Sequence, residues 1–131
     1  MTHTQSAMFV RRLLLADSLV SGATGALMAG AAPILESWLG LPAALLRFAG
    51  IALLPFAGVV AWLGLQTSPG RTGVQAIIAA NFAWVAASIL LLLAGGVNPT
   101  ALGIAFVIFQ AVVVGVLGEL QYMGLRRTII G

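Results

Sequence analysis

Arg11-Arg-Leu-Leu-Leu-Ala-Asp-Ser-Leu-Val-Ser-Gly-Ala-Thr-Gly-Ala-Leu-Met-Ala-Gly-Ala31 decides how this chain is read. Two adjacent arginines open an apolar stretch that a single carboxylate, Asp17, interrupts. With Phe9 and Val10 the run covers 9–31, and three more runs follow at 43–65, 74–95 and 100–122. Each is close to the ~20 residues that a helix rising ~1.5 Å per residue needs to cross a ~30 Å hydrocarbon layer. The expectation is an all-α integral membrane four-helix bundle, one transmembrane domain over residues 1–131. The breaks are too short for anything but tight turns, so neighbouring spans are expected to pair as antiparallel hairpins.

Composition supports lipid as the solvent. Hydrophobic residues make up 61% of the chain and charged residues 7%, whereas soluble domains are about a quarter charged. A chain of 131 residues folded in water would bury only about two thirds of its surface, too little to hide this much apolar area. The lipid bilayer is therefore the first partner expected. The net charge of +3 comes from six arginines against three acids. Those arginines are scattered over span ends and form no basic face, which argues against nucleic acid. There is no cysteine, and the one histidine is His3. Disulfides, thiol chemistry and iron–sulfur ligation are excluded, and no metal or other cofactor is expected.

Span one imitates a signal peptide, with Arg11-Arg12 before the apolar run and Gly30-Ala31-Ala32 after it. Its length, the internal Asp17 and the following Pro33 favour a retained helix. Arginine counting then gives an orientation. Arg11, Arg12, Arg71, Arg126 and Arg127 flank one side and Arg47 alone the other. Both termini and the 66–73 loop are expected in the cytoplasm of a bacterial cell, with the chain in its inner membrane. Gln66-Thr-Ser-Pro-Gly70 reads as a turn. Asn98 offers a cap with Pro99 at the first helical position. Residues 33–39 read as a short interfacial turn, with Trp38 at headgroup level. Pro55 is expected to kink span two.

The polar residues within the spans are few. Asp17 lies about five residues past the arginine anchor, roughly 7–8 Å into the bilayer. Arg12 is poorly spaced to pair with it, because helical neighbours sit three and four residues apart. A partner is expected from elsewhere, with Arg71, Arg126 and Arg127 as candidates; protonation is the other escape. Asn81, Trp84 and Ser88 follow helical spacing in span three. In span four Gln110 and Gln121 share a face, whereas Glu119 points nearly opposite Gln110 at ~100° per residue. Glu119 precedes Arg126 by about 10 Å, which places it in the same leaflet as Asp17. Asp17, Ser21, Asn81, Glu119 and Gln121 are the candidate lining of one cytoplasmic-side polar cavity. The plainer reading makes Asp17 and Asn81 interhelical clamps and Glu119 an edge residue reaching for water. Ser18, Gly22, Ala26 and Gly30 recur every four residues as a small-residue ridge for helix packing.

The string at 11–25, Leu53-Leu-Pro-Phe-Ala57, Asn81-Phe-Ala-Trp84 and Glu119-Leu-Gln121 together resemble a group of short four-span bacterial inner-membrane proteins that has no assigned activity. The resemblance covers most of the chain, implies the topology and location above, and carries over no catalytic residue. Small multidrug transporters also place an acid in span one, but here Asp17 lies near the membrane edge, and the arginine bias opposes dual orientation. The function expected is that of a non-catalytic multi-pass membrane protein, an accessory or assembly subunit packing against other membrane helices. It would act as a homo-oligomer or within a larger complex. The alternative is a small oligomeric transporter or channel using a polar cavity around Asp17 and Glu119. No nucleophile–base pair, metal-ligand set or phosphate loop points to an enzyme.

Overall fold

A computed structural model describes residues His3–Ile130. The described residues form five helices: α1 (His3–Gly30), α2 (Ala32–Leu39), α3 (Ala43–Leu65), α4 (Arg71–Leu93) and α5 (Ala101–Ile130). Four of them, all but α2, are long and apolar enough to cross a membrane. Two run well past the apolar stretches expected to span. α1 begins six residues before Phe9, and α5 continues through Arg126 and Arg127. Hydropathy marks where lipid ends, while arginine, glutamine and leucine remain good helix formers beyond that limit.

Residues 33–39 also form more than a turn. Pro33 sits in the first turn of α2, where its missing N–H has no helical partner to lose. The helix closes at Gly40, whose φ of +70° is left-handed. A Cβ there would stand 2.8 Å from the Thr100 amide nitrogen, so both backbone conformation and space call for glycine. The Glu36 carboxylate of α2 accepts the N–H of Ala43 and so caps α3. The cap of α5 is Thr100, not Asn98: its Oγ1 accepts the Gly103 N–H at 3.1 Å. Thr100 also donates from Oγ1 to the Trp38 carbonyl at 2.7 Å and from its amide to Leu39 at 2.9 Å. A Cβ on Gly103 would collide with the Leu39 carbonyl. α2 is thus clasped to the start of α5. α3 continues unbroken through Pro55, which faces outward.

α1 packs most extensively against α3 and also against α5, which in turn covers α4; α3 and α4 barely touch. The α1–α3 contact runs from Arg11 to Ala29 of α1 and from Gly64 back to Gly50 of α3. Arg11 Nε donates to the Gly64 carbonyl at 3.2 Å, and a Cβ on Gly64 would meet Leu14 and Leu15. Ser18 Oγ donates to the Ala57 carbonyl at 2.8 Å. Further along, a Cβ on Gly50 would stand 2.6 Å from both the Gly25 oxygen and the Ala29 nitrogen. The contact residues 11, 15, 18, 22, 25 and 29 alternate steps of four and three, the spacing that keeps a seam facing one partner.

This seam corrects the ridge read from sequence. Of Ser18, Gly22, Ala26 and Gly30, the first two face α3, while Ala26 and Gly30 are exposed. A strict step of four advances ~40° per turn on a helix of 3.6 residues, so three steps carry the ridge about 120° off its partner.

Two apolar clusters fill the ends of the bundle. Leu14, Val60, Val74 and Leu125 centre one, and Met28, Leu35, Leu46 and Val107 the other. The start of α1, the 66–70 connection and the end of α5 share the first end, where Ala7, Val10, Ser68, Arg71 and Thr128 line a cavity of about 230 Å³.

Candidate functional site

Between the apolar clusters α1, α4 and α5 each contribute a polar side chain to one buried group. Asp17 comes from α1 and is 1% exposed, Asn81 from α4 at 2%, and Gln121 from α5 at 0%. Asn81 Nδ2 donates to Asp17 Oδ2 at 2.8 Å and to Gln121 Oε1 at 3.0 Å. Gln121 Nε2 donates to the same Asp17 oxygen at 2.8 Å, which closes a three-membered ring across three helices. Ser21, one turn along α1, donates its hydroxyl to Asp17 Oδ1 at 3.1 Å. Asp17 is the acceptor in each of the bonds it makes here.

All the partners of Asp17 among the described residues are neutral. Arg71, Arg126 and Arg127, the cations expected for it, are exposed at the end of the bundle. Arg126 lies over the Tyr122 ring with its guanidinium carbon 5.7 Å from the centroid. An aspartate within a span needs its lone pairs occupied, and hydrogen bonds to a charged acceptor contribute about 1.5–3 kcal/mol each. Two amides and a hydroxyl meet that need without bringing a second charge out of water.

Four of the five candidate residues, Asp17, Ser21, Asn81 and Gln121, are therefore gathered at one point. Glu119 is not. It is exposed, and it borders an outward groove between α4 and α5 with Phe82, Val116 and Met123. The reason lies in its register. Two residues of an α-helix span about 200°, so when Gln121 points into the bundle Glu119 points away from it.

A second polar relay has no counterpart among the expected sites. Trp84 Nε1 donates to Gln110 Oε1 at 2.6 Å, Gln110 Nε2 donates to Ser88 Oγ at 3.0 Å, and Ser88 Oγ donates to the Trp84 carbonyl at 2.8 Å. Its sequence signal is present in two halves. Ser88 lies two turns beyond Asn81 on α4, and Gln110 shares a face with Gln121 on α5, three turns away, so each helix carries a second polar residue on the face that supplies the Asp17 ring.

A cavity of about 170 Å³ adjoins the Asp17 ring at Ser21 and Asn81. Its other walls are Ala52, Leu53, Phe56, Ala80, Trp84 and Val114. The lining is largely apolar. Among the described residues no three His, Cys, Asp or Glu side chains come together as a metal site would require. Chemically, the arrangement can fix the register of three helices and hold a carboxylate inside an apolar bundle. Comparison of the chain with family models, curated proteins and solved structures finds no match.

Proposed function

We propose that this chain is a non-catalytic multi-pass protein of a bacterial inner membrane, an accessory or assembly subunit that packs against other membrane helices. Its spans form antiparallel hairpins, with both termini and the 66–70 connection in the cytoplasm. The arginine distribution supports that orientation: Arg11, Arg12, Arg71, Arg126 and Arg127 fall at one end of the bundle and Arg47 at the other. The observation that carries the functional reading is the closed ring of Asp17, Asn81 and Gln121. These polar groups satisfy one another and are 0–2% exposed, as expected of interhelical fasteners and not of a substrate path.

One observation favours the transporter reading, namely the cavity lined by Ser21 and Asn81, two hydrogen-bond partners of Asp17, which has room for a water molecule or a small cation. Liposome flux separates the two. The subunit reading expects no proton- or cation-dependent flux from purified protein, and recovery of the native protein in mild detergent together with companion chains or further copies. Flux that Asp17→Asn abolishes, in a variant that still folds, would overturn it.

A further inference from the structure

The inner seam of α1 is occupied by α3, but a second seam lies one residue on. Arg12, Ala16, Leu19, Ala23, Ala26 and Gly30 alternate steps of four and three, and all six are exposed. Four are small, so another backbone can approach closely. The only charge on the seam is Arg12, for which no hydrogen bond or ion pair is found among the described residues.

The α4–α5 groove is its complement in shape and charge. It encloses about 600 Å³ and follows α5 from Val107 to Met123, about 24 Å of helix at 1.5 Å per residue. Ala111 and Gly115 line it, and a Cβ on Gly115 would meet nothing closer than Val85 at 3.7 Å. Length and small residues suit a helix laid lengthwise. Its only charge is Glu119, likewise without a polar partner among the described residues. An unpaired carboxylate on a lipid-facing surface is costly and calls for a cation.

The depths agree. Val10 meets Gly124, and Asp17 meets Gln121, so Arg12 and Glu119 lie within about 5–10 Å of each other along the bundle axis. Two extended side chains can close that interval. By the same register Leu19 lies level with Val116.

We propose that the α4–α5 groove receives the outer α1 seam of a second copy of this chain, with Arg12 of one copy paired to Glu119 of the next. The proposal rests on the reading of the chain as a membrane-spanning packing module and names its partner. Because the two surfaces differ, the contact is head-to-tail, and copies in one membrane orientation join into a ring or an open row.

The chain has no cysteine, so engineered thiols report cleanly. Leu19→Cys and Val116→Cys, both at exposed positions, are placed on separate copies and co-expressed, and the membranes are oxidised. The expected result is a cross-linked dimer from the mixed pair and little from either variant alone. Adding Arg12→Glu to the Leu19→Cys copy, or Glu119→Arg to the Val116→Cys copy, lowers the yield about tenfold, the response to a loss of ~1.4 kcal/mol. Combining both changes restores it. Absence of the mixed product from membrane-inserted, folded protein overturns the proposal and leaves the groove to lipid, with the four-span reading intact. A Val116–Val116 product in its place overturns the head-to-tail geometry. Charge changes without effect, singly and together, overturn the Arg12–Glu119 pairing.

Discussion

Removing the Asp17 side chain strands two amides. Asp17→Leu would leave Gln121 Nε2 without its acceptor and Asn81 Nδ2 with one of two, at side chains that are 0–2% exposed. Each buried unsatisfied polar group costs about 1–3 kcal/mol, so the variant should lose roughly 2–4 kcal/mol. Unfolding in mixed detergent micelles checks this. Asp17→Asn keeps the shape and one acceptor oxygen and should lose less. Equal stability of Asp17→Leu and the parent chain would remove the ring from the account. Glu119 provides the contrast, since Glu119→Gln touches no partner within the bundle among the described residues and should leave the unfolding curve of the single, unassociated chain in place. Individual polar residues are legible in the sequence because ionisable and amide groups are rare within spans. Their partners are not. Seeking arginines for Asp17 assumes that charge must meet charge, whereas two amides and a hydroxyl satisfy it locally. Glu119 is misplaced by sequence for a simpler reason: leaflet depth is matched across helices before the direction of each side chain is settled, although its opposition to Gln110 already turns it outward.

At the scale of elements, glycine decides how closely α1 and α3 approach. Gly50→Val would drive side-chain atoms into the backbone of Gly25 and Ala29, which cannot yield without separating the helices. A loss of about 2 kcal/mol or more is expected, in the range of overpacked cores. Gly58 lies in the same helix, and a Cβ there would meet nothing within 4 Å. Gly58→Ala should therefore be neutral or gain up to about 1 kcal/mol from helix propensity. Parallel unfolding of both variants tests the seam, and similar effects would count against it. The clasp between α2 and α5 makes a second test. Gly103→Ala should disrupt the contact with Leu39, and Thr100→Val should lose both the α5 cap and the bond to Trp38. A loss of about 1–3 kcal/mol is expected of each, with local amide exchange rising at 36–41 and 100–104. The positions of the long helices are readable from hydropathy, but their ends are not. Apolar runs locate lipid, whereas helix ends depend on caps such as Thr100 for α5 and on Glu36, which reaches α3 only once α2 has folded beside it. The small residues of α1 are readable too, yet a single period of four merges two faces that the alternation of three and four keeps apart.

The described residues form an apolar bundle held by polar fasteners between its two apolar clusters and closed at one end by α2. Its four long helices are suited to a bilayer, and the proposed orientation, drawn from the arginine imbalance, can be tested. Thiol labelling in intact cells tests this frame most directly, since the natural chain contributes no cysteine of its own. Ser68→Cys and Thr128→Cys should react with a membrane-impermeant maleimide only after the cells are opened, while Ser37→Cys and Asn98→Cys should react from outside. Labelling of Ser68→Cys and Asn98→Cys from the same side would contradict the four-span account.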